Sequence, residues 1–373
     1  MPDPADERLS AMDLREAVEL WDPEPGWLNT ASYGLPPEPA WRALQAALAE
    51  WRHGRTSWEG WDTSTGRART AFARLVAAAV DDIAVGAQVS QLLAPVAAGL
   101  PDGARVLAPD IEFTSNLFPW LVHADRGVTV EVAPTAKLAE AIDARTTLVT
   151  FSLVQSATGE IAPVDDIVAA ARHHGSLVCV DATQAVGWLP TRASSFDVLA
   201  CSAYKWLAAP RGCAFCYLSP VLRDRLRPLH AGWYAGEDVH DSYYGLPLRL
   251  ASSARRFDLS PAWFAYVGAA PALELLAEVG VEAIYDHNVT LANRFLAGLG
   301  LPSTDSAIVT VDVPGAELQL ARAGVRAAVR AGRVRASFHL YTGVADVDRA
   351  VEALTTSGPA AVDPALPEAM TER

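Results

Sequence analysis

Five short apolar runs, at 105–109, 148–152, 177–181, 198–203 and 213–218, alternate with stretches of helical periodicity near 64–80, 88–99, 115–124 and 164–174. No other feature constrains the fold as tightly, because strands separated by helix-length crossovers pair in parallel with helices packed on the sheet. The expected fold is therefore α/β, with a mostly parallel central sheet. From about residue 255 the pattern changes to two long helices (262–279, 281–299), two short strands (307–313, 334–339) and a closing helix (345–355), which reads as a smaller α+β domain. The expected organisation is a flexible segment at 1–15, a large domain at 16–250, a small domain at 251–356 to which N-terminal residues contribute, and a disordered, proline-containing tail at 357–373.

The balance of 30 basic and 44 acidic residues gives a net charge of −14, so no overall field draws in nucleic acid or an anionic membrane. An anionic ligand must be held by local design. No run approaches ~18 apolar residues and the N-terminus lacks an apolar leader, so neither export nor a membrane span is expected. Cys179, Cys201, Cys213 and Cys216 sit inside apolar runs without paired loop spacing, which points to buried, reduced thiols and a cytoplasmic protein. Cys213-Ala-Phe-Cys216 has the C-x-x-C form but no second ligand pair, and no His/Asp/Glu set has zinc spacing, so no metal is expected. His173 and His174 precede Gly175 at a helix end, where a cation complements the dipole. No serine sits in a G-x-S-x-G elbow.

Only two of the basic residues are lysines, Lys137 and Lys205. Lys205 lies in Ala200-Cys-Ser-Ala-Tyr-Lys205-Trp206, 24 residues after a strand-like run that ends on Asp181. Ligands of open α/β sheets collect at the carboxyl ends of strands, where Asp181, Ser202 and Lys205 all fall. A carbonyl cofactor such as pyridoxal phosphate needs a lysine to hold it as a Schiff base and an aspartate to keep its ring nitrogen protonated. Taken alone, the lysine scarcity equally suits arginine-biased composition and an ordinary surface Lys205.

Asp181-x-x-Gln184 followed by Ser202-x-x-Lys205 resembles the fold-type I pyridoxal-phosphate enzymes, and within them the class V aminotransferase and cysteine desulfurase superfamily, over most of residues 27–355. The resemblance implies that Lys205 carries the cofactor and Asp181 meets its ring nitrogen. It implies further that Gln184 meets the phenolic oxygen, and that Ser202 and Tyr204 reach the phosphate. Gly86-Ala-Gln-Val-Ser90 opens a helix after a strand-like run, so Ala87 and Gln88 are the expected phosphate contacts at a positive helix end. The segment 109–120 is similar to the one that lays a ring over the cofactor, with Phe113 where the family usually has histidine. Stacking survives that change and a proton donor is lost.

Arg335, in the run 332–341, matches the family arginine that forks onto the substrate carboxylate. Arg330 matches a second family arginine, although a solvated role suits it equally. Desulfurases carry a mobile loop with a nucleophilic cysteine between these two positions. Here four residues separate them and none is cysteine, so persulfide chemistry of that type is not expected. Ala31 and Ser32 echo the family's N-terminal substrate segment, and Ser260 matches a residue that family dimers extend toward the neighbouring subunit's cofactor phosphate. Trp51, Trp58 and Trp61 suit either a bulky substrate side chain at the mouth or interface packing.

The expected protein is thus a homodimeric pyridoxal-phosphate enzyme acting on a small-molecule amino acid, with the active site at the subunit interface. An aminotransferase comes first. A C–S lyase of the ergothioneine-pathway kind or an epimerase is the alternative, and a catalytically silent regulator with the same fold is a third reading.

Overall fold

The computed structural model describes residues 12–356. Residues 1–11 and the tail 357–373 lie outside the described residues. Within the segment read as flexible, the helix Leu14–Val18 starts at residue 14, with the Asp13 side chain accepting the Arg15 N–H and Ala17 buried.

Seven strands form one sheet: β1 (Ile83–Gly86), β2 (Arg105–Pro109), β3 (Thr129–Ala133), β4 (Leu148–Ser152), β5 (Leu177–Asp181), β6 (Val198–Ser202) and β7 (Ala214–Leu218). Their order is β1-β7-β6-β5-β4-β2-β3. All pairings from β3 across to β6 are parallel, and β7 runs antiparallel to both β6 and β1. Every residue of β4, β6 and β7 is buried, as a sheet covered on both faces requires. Successive side chains alternate between the two faces: Val178 and Val180 join one apolar cluster while Cys179 joins the other. The same alternation sends Cys213 and Cys216 to opposite faces, so the C-x-x-C run cannot form a ligand pair.

The helix expected near 64–80 is Trp58–Leu75. It stops where Ala77 turns left-handed at φ 49°, a stop that no glycine announces. Glu38–Arg52, with Pro39 in its first turn, is a further helix. Val164–His174 ends as expected on a left-handed Gly175, with His173 and His174 in the last turn.

Trp263–Val279 and Val281–Gly298 lead into a second, antiparallel sheet of β8 (Ile308–Val311), β9 (Ala328–Arg330) and β10 (Arg333–Ser337), ordered β8-β10-β9. Val344–Thr356 closes the described chain. The N-terminal segment crosses to this sheet: Leu28 donates to the Arg326 carbonyl and accepts from the Ser337 N–H, and its side chain packs with Val334 and Phe338. Because β1 and β6 both oppose β7, the carboxyl ends of β1, β2, β4, β5 and β6 meet at one edge of the large sheet. The arm at 28–34 and β10 are carried over that edge. Among the described residues no single helix is long and apolar enough to cross a membrane.

Candidate functional site

Lys205 sits on the turn that follows β6, held by Ala203 N–H to the Cys213 carbonyl and Ala208 N–H to the Lys205 carbonyl. The N-terminal arm lies directly on this turn, with Gly34 N–H donating to the Tyr204 carbonyl at 3.0 Å. A Cβ at Gly34 would stand 1.9 Å from the Lys205 carbonyl oxygen, so only glycine permits the approach. That contact is what brings Ala31 and Ser32 to the site.

Asp181, Gln184, Ser202, Tyr204, Lys205 and Phe113, all anticipated from the sequence, line one small cavity. Val89, Ser115, Ser152, Ser156 and Thr183 complete its wall. The Lys205 amine makes no hydrogen bond to any described residue and lies 5.5 Å from the centre of the Phe113 ring and 5.6 Å from that of Tyr204. Burial lowers its pKa to about 8, with Asp181 opposing the shift and Arg335 adding to it. About one Lys205 in ten is therefore neutral at pH 7, against roughly one in several thousand for an ordinary lysine. Asp181 ends β5 with its carboxylate accepting the Thr183 N–H at 2.8 Å, and burial raises its pKa against the pull of that bond and of Lys205.

The Gln184 amide is oriented by its neighbours. Its oxygen accepts from the Trp206 indole N–H at 2.7 Å and its nitrogen donates to the Ala31 carbonyl at 3.0 Å, which leaves one amide N–H for a ligand. Arg335 is 2% exposed. One end of its guanidinium donates to the Ser156 carbonyl, the other to Ser32 Oγ at 2.7 Å, and its Nε has no partner. No carboxylate of a described residue pairs with it, and burial together with the Arg330 charge lowers its pKa to about 10. Arg335 is not itself on the cavity wall and meets it at the Ser156 carbonyl; a buried guanidinium with spare donors and no acid beside it can accept an anion.

Several expected contacts are placed differently. The Ala87 N–H is taken by Gln91 Oε1 at 3.0 Å, so Ala87 offers no free amide. Gln88 is the N-cap of Val89–Ala98, and it is Val89 that lines the cavity, at the start of the helix where N–H groups lack intrahelical acceptors. Ala31 contributes backbone only. Arg330 is exposed and donates to the adjacent Val329 carbonyl, away from the cavity wall. Between it and Arg333 runs a two-residue turn of left-handed Ala331 and Gly332, too short for a mobile loop. Ser260 is exposed and does not line the cavity. Its segment is fixed two residues earlier, where Asp258 pairs with buried Arg69 at 2.6 Å and accepts the Val85 N–H at 2.8 Å. Trp51 and Trp61 contact Phe264, and Trp58 packs on Trp233 and Trp263, so these rings join an aromatic cluster outside the cavity wall.

All four cysteines are buried and unpaired, and burial raises every one of their pKa values, Cys216 to about 12. Among the described residues no group of three or more His, Cys, Asp and Glu could hold a metal. Sequence reasoning missed Glu112, Ser152, Ser156 and Thr183. Thr183 Oγ1 accepts the Ser202 N–H at 3.0 Å and so ties the β5 turn to the end of β6.

These residues fit pyridoxal phosphate. The unbonded Lys205 amine, the spare Gln184 N–H, the buried Asp181 carboxylate, the Phe113 ring and a helix N-terminus are the complement of an aldehyde, a phenolic oxygen, a ring N–H, an aromatic face and a phosphate.

Residues 65–307 match the family model for class V aminotransferases. An uncharacterised aminotransferase, YcbU, of Bacillus subtilis is 31% identical over 287 residues, covering 74% of this chain and 76% of that one. A probable cysteine desulfurase of Methanothermobacter thermautotrophicus is 28% identical, covering 73% and 71%. Among solved structures, the cystine C–S lyase C-DES superposes with a TM-score of 0.80 at 23% identity over 90% of this chain and 98% of that one. A cysteine desulfurase of Thermococcus onnurineus gives 0.78 at 22% identity over 92% and 98%.

Proposed function

We propose, for a chain that belongs to the class V aminotransferase family of pyridoxal-phosphate enzymes, that it transaminates an α-amino acid. The buried, acid-free guanidinium of Arg335 carries this reading, because a substrate carboxylate supplies the charge that the fold withholds. Bound pyridoxal phosphate supplies an electron sink next to the substrate's α-carbon. Arg335 and Ser32 would take the carboxylate end, and the Arg335 charge is near enough to help lower the Lys205 pKa. Lys205 Nζ then takes the α-proton and returns it, and a pKa brought down to about 8 suits both steps near neutrality. Asp181 would hold the proton on the cofactor's ring nitrogen, and the spare Gln184 N–H would donate to its phenolic oxygen.

Phe113 favours transamination among the possible outcomes. A ring without a titratable group stands where the family usually has histidine, so among the described residues Lys205 is the one nitrogen base on the cavity wall. Returning a proton on the same face is all that transamination asks. Epimerisation needs a second donor on the opposite face, and elimination of a poor leaving group needs an acid. A second reading, β-elimination from a β-thio amino acid, draws support from the thiol itself, which leaves without protonation. The two-residue turn between β9 and β10 and the buried cysteines then favour release of the sulfur as free product over its transfer to a protein thiol.

The exposed Tyr244, Leu246 and Leu248, 90%, 93% and 77% accessible, together with the position of Ser260, support a homodimer as the working unit. The four unpaired thiols support a reducing, cytoplasmic setting. Incubating the purified holoenzyme with single amino acids and identifying the product tests the chemistry. Pyridoxamine phosphate is the expected product; pyruvate with ammonia would establish elimination, and a racemised amino acid alone would refute both.

A further inference from the structure

Glu112 is a buried carboxylate with four donors aimed at it, in a site whose own chemistry does not use it. Its Oε1 accepts from the Phe113 N–H at 2.8 Å and from Ser152 Oγ at 2.5 Å. Its Oε2 accepts from the Ser152 N–H at 2.7 Å and from Gln155 Nε2 at 3.3 Å. These donors belong to two strand ends. Phe113 follows β2 and presents the ring over Lys205; Ser152 ends β4, and the chain running on from it through Gln155 presents the Ser156 carbonyl to Arg335.

We propose that Glu112 is a positioning residue that fixes the aromatic ring and the carboxylate socket in one register, so that a ligand's carboxylate and its reacting nitrogen are presented to the site together. The geometry makes the carboxylate hard to replace. Each oxygen faces one backbone N–H, of Phe113 or of Ser152, and a backbone N–H cannot turn round to accept. An amide at this position sets its NH₂ against one of them in either orientation. Glu112→Gln, which keeps size and removes charge, must therefore push one of the two strand ends away. Glu112→Asp keeps the charge with a shorter reach.

The inference rests on the reading of Arg335 as the carboxylate socket, and the test separates the two. Aminooxyacetate and O-methylhydroxylamine both attack the lysine-bound cofactor and bleach its visible band, and only the first carries a carboxylate. The ratio of their second-order rate constants with the holoenzyme reports the socket without any knowledge of the natural substrate. Native protein is expected to favour aminooxyacetate by tenfold or more. Glu112→Gln should reduce that preference at least fivefold while the rate with O-methylhydroxylamine stays within about threefold of native, and Glu112→Asp should recover part of the preference. In an Arg335→Lys background, Glu112→Gln should change the ratio no further, which a general loosening of the fold would not produce. Should Glu112→Gln fail to fold, Gln155→Ala removes only the weakest of the four donors and should shift the ratio in the same direction. Equal rates for the two probes with native protein would overturn the socket itself. A native preference that survives both Glu112→Gln and Gln155→Ala within twofold would overturn the role of Glu112 alone.

Discussion

Replacing Arg335 by methionine should separate function from stability, and the structure sets the size of both effects. The guanidinium is 2% exposed, and its pKa falls from 12.5 to about 10, so carrying the charge inside the fold at neutral pH costs about 3 kcal/mol. Methionine fills most of the same volume without that cost. Against the gain stand the two hydrogen bonds lost by the Ser156 carbonyl and Ser32 Oγ, ~1–2 kcal/mol each. The opposing terms nearly cancel, so the free protein should unfold within about 2 kcal/mol of native. Turnover has no such compensation. Removing one partner of a buried ion pair costs ~3–5 kcal/mol, a drop of roughly 10²–10⁴ in kcat/KM for an amino acid. Arg335→Lys, with a point charge in place of a fork, should fall between. Initial rates across amino-acid concentration and denaturant unfolding of the same preparations measure the two arms. If kcat/KM stayed within a few-fold of native, or if stability fell by more than ~3 kcal/mol, the residue would be a structural arginine and no socket.

Asp181→Asn should keep its cofactor and the bond to the Thr183 N–H, yet lose about a hundredfold in turnover, because an amide no longer holds the proton on the cofactor's ring nitrogen; near-native rates would place the aspartate's role elsewhere. Each of Cys179, Cys201, Cys213 and Cys216 changed singly to alanine should leave turnover intact apart from modest stability losses, and one such variant that folds, binds cofactor and is inactive would bring thiol chemistry back. Cofactor uptake by apoprotein needs the neutral amine of Lys205. Since its pKa is lowered to about 8, the uptake rate should rise roughly tenfold per pH unit up to pH 8 and level off above it; a rate still climbing at pH 10 would mean an ordinary, solvated lysine.

The sheet was legible where a strand is apolar from end to end and stops on a lone polar residue, as β5 does at Asp181 and β6 at Ser202. β3 escaped because it is an edge strand with three of its five residues exposed, and β9 because it has only three residues. The motif residues that line the cavity were legible because they are near neighbours in sequence, 181–184 and 202–205. Glu112 and Ser152 were not, since a carboxylate filled by donors 40 positions away leaves no local pattern. Ala87 shows the opposite failure: the glycine-led turn and the helix start were read correctly, but the Gln91 side chain that occupies its N–H is visible only in three dimensions.

The proposed chemistry turns on one amine. Borohydride reduction of the yellow holoenzyme followed by peptide mapping should place the pyridoxyl group on Lys205, which is buried and free of hydrogen bonds, and should leave Lys137, exposed and paired with Glu140 at 2.8 Å, unlabelled. A label on Lys137, or a visible band that persists unchanged in Lys205→Ala, would mean that Lys205 does not carry the cofactor.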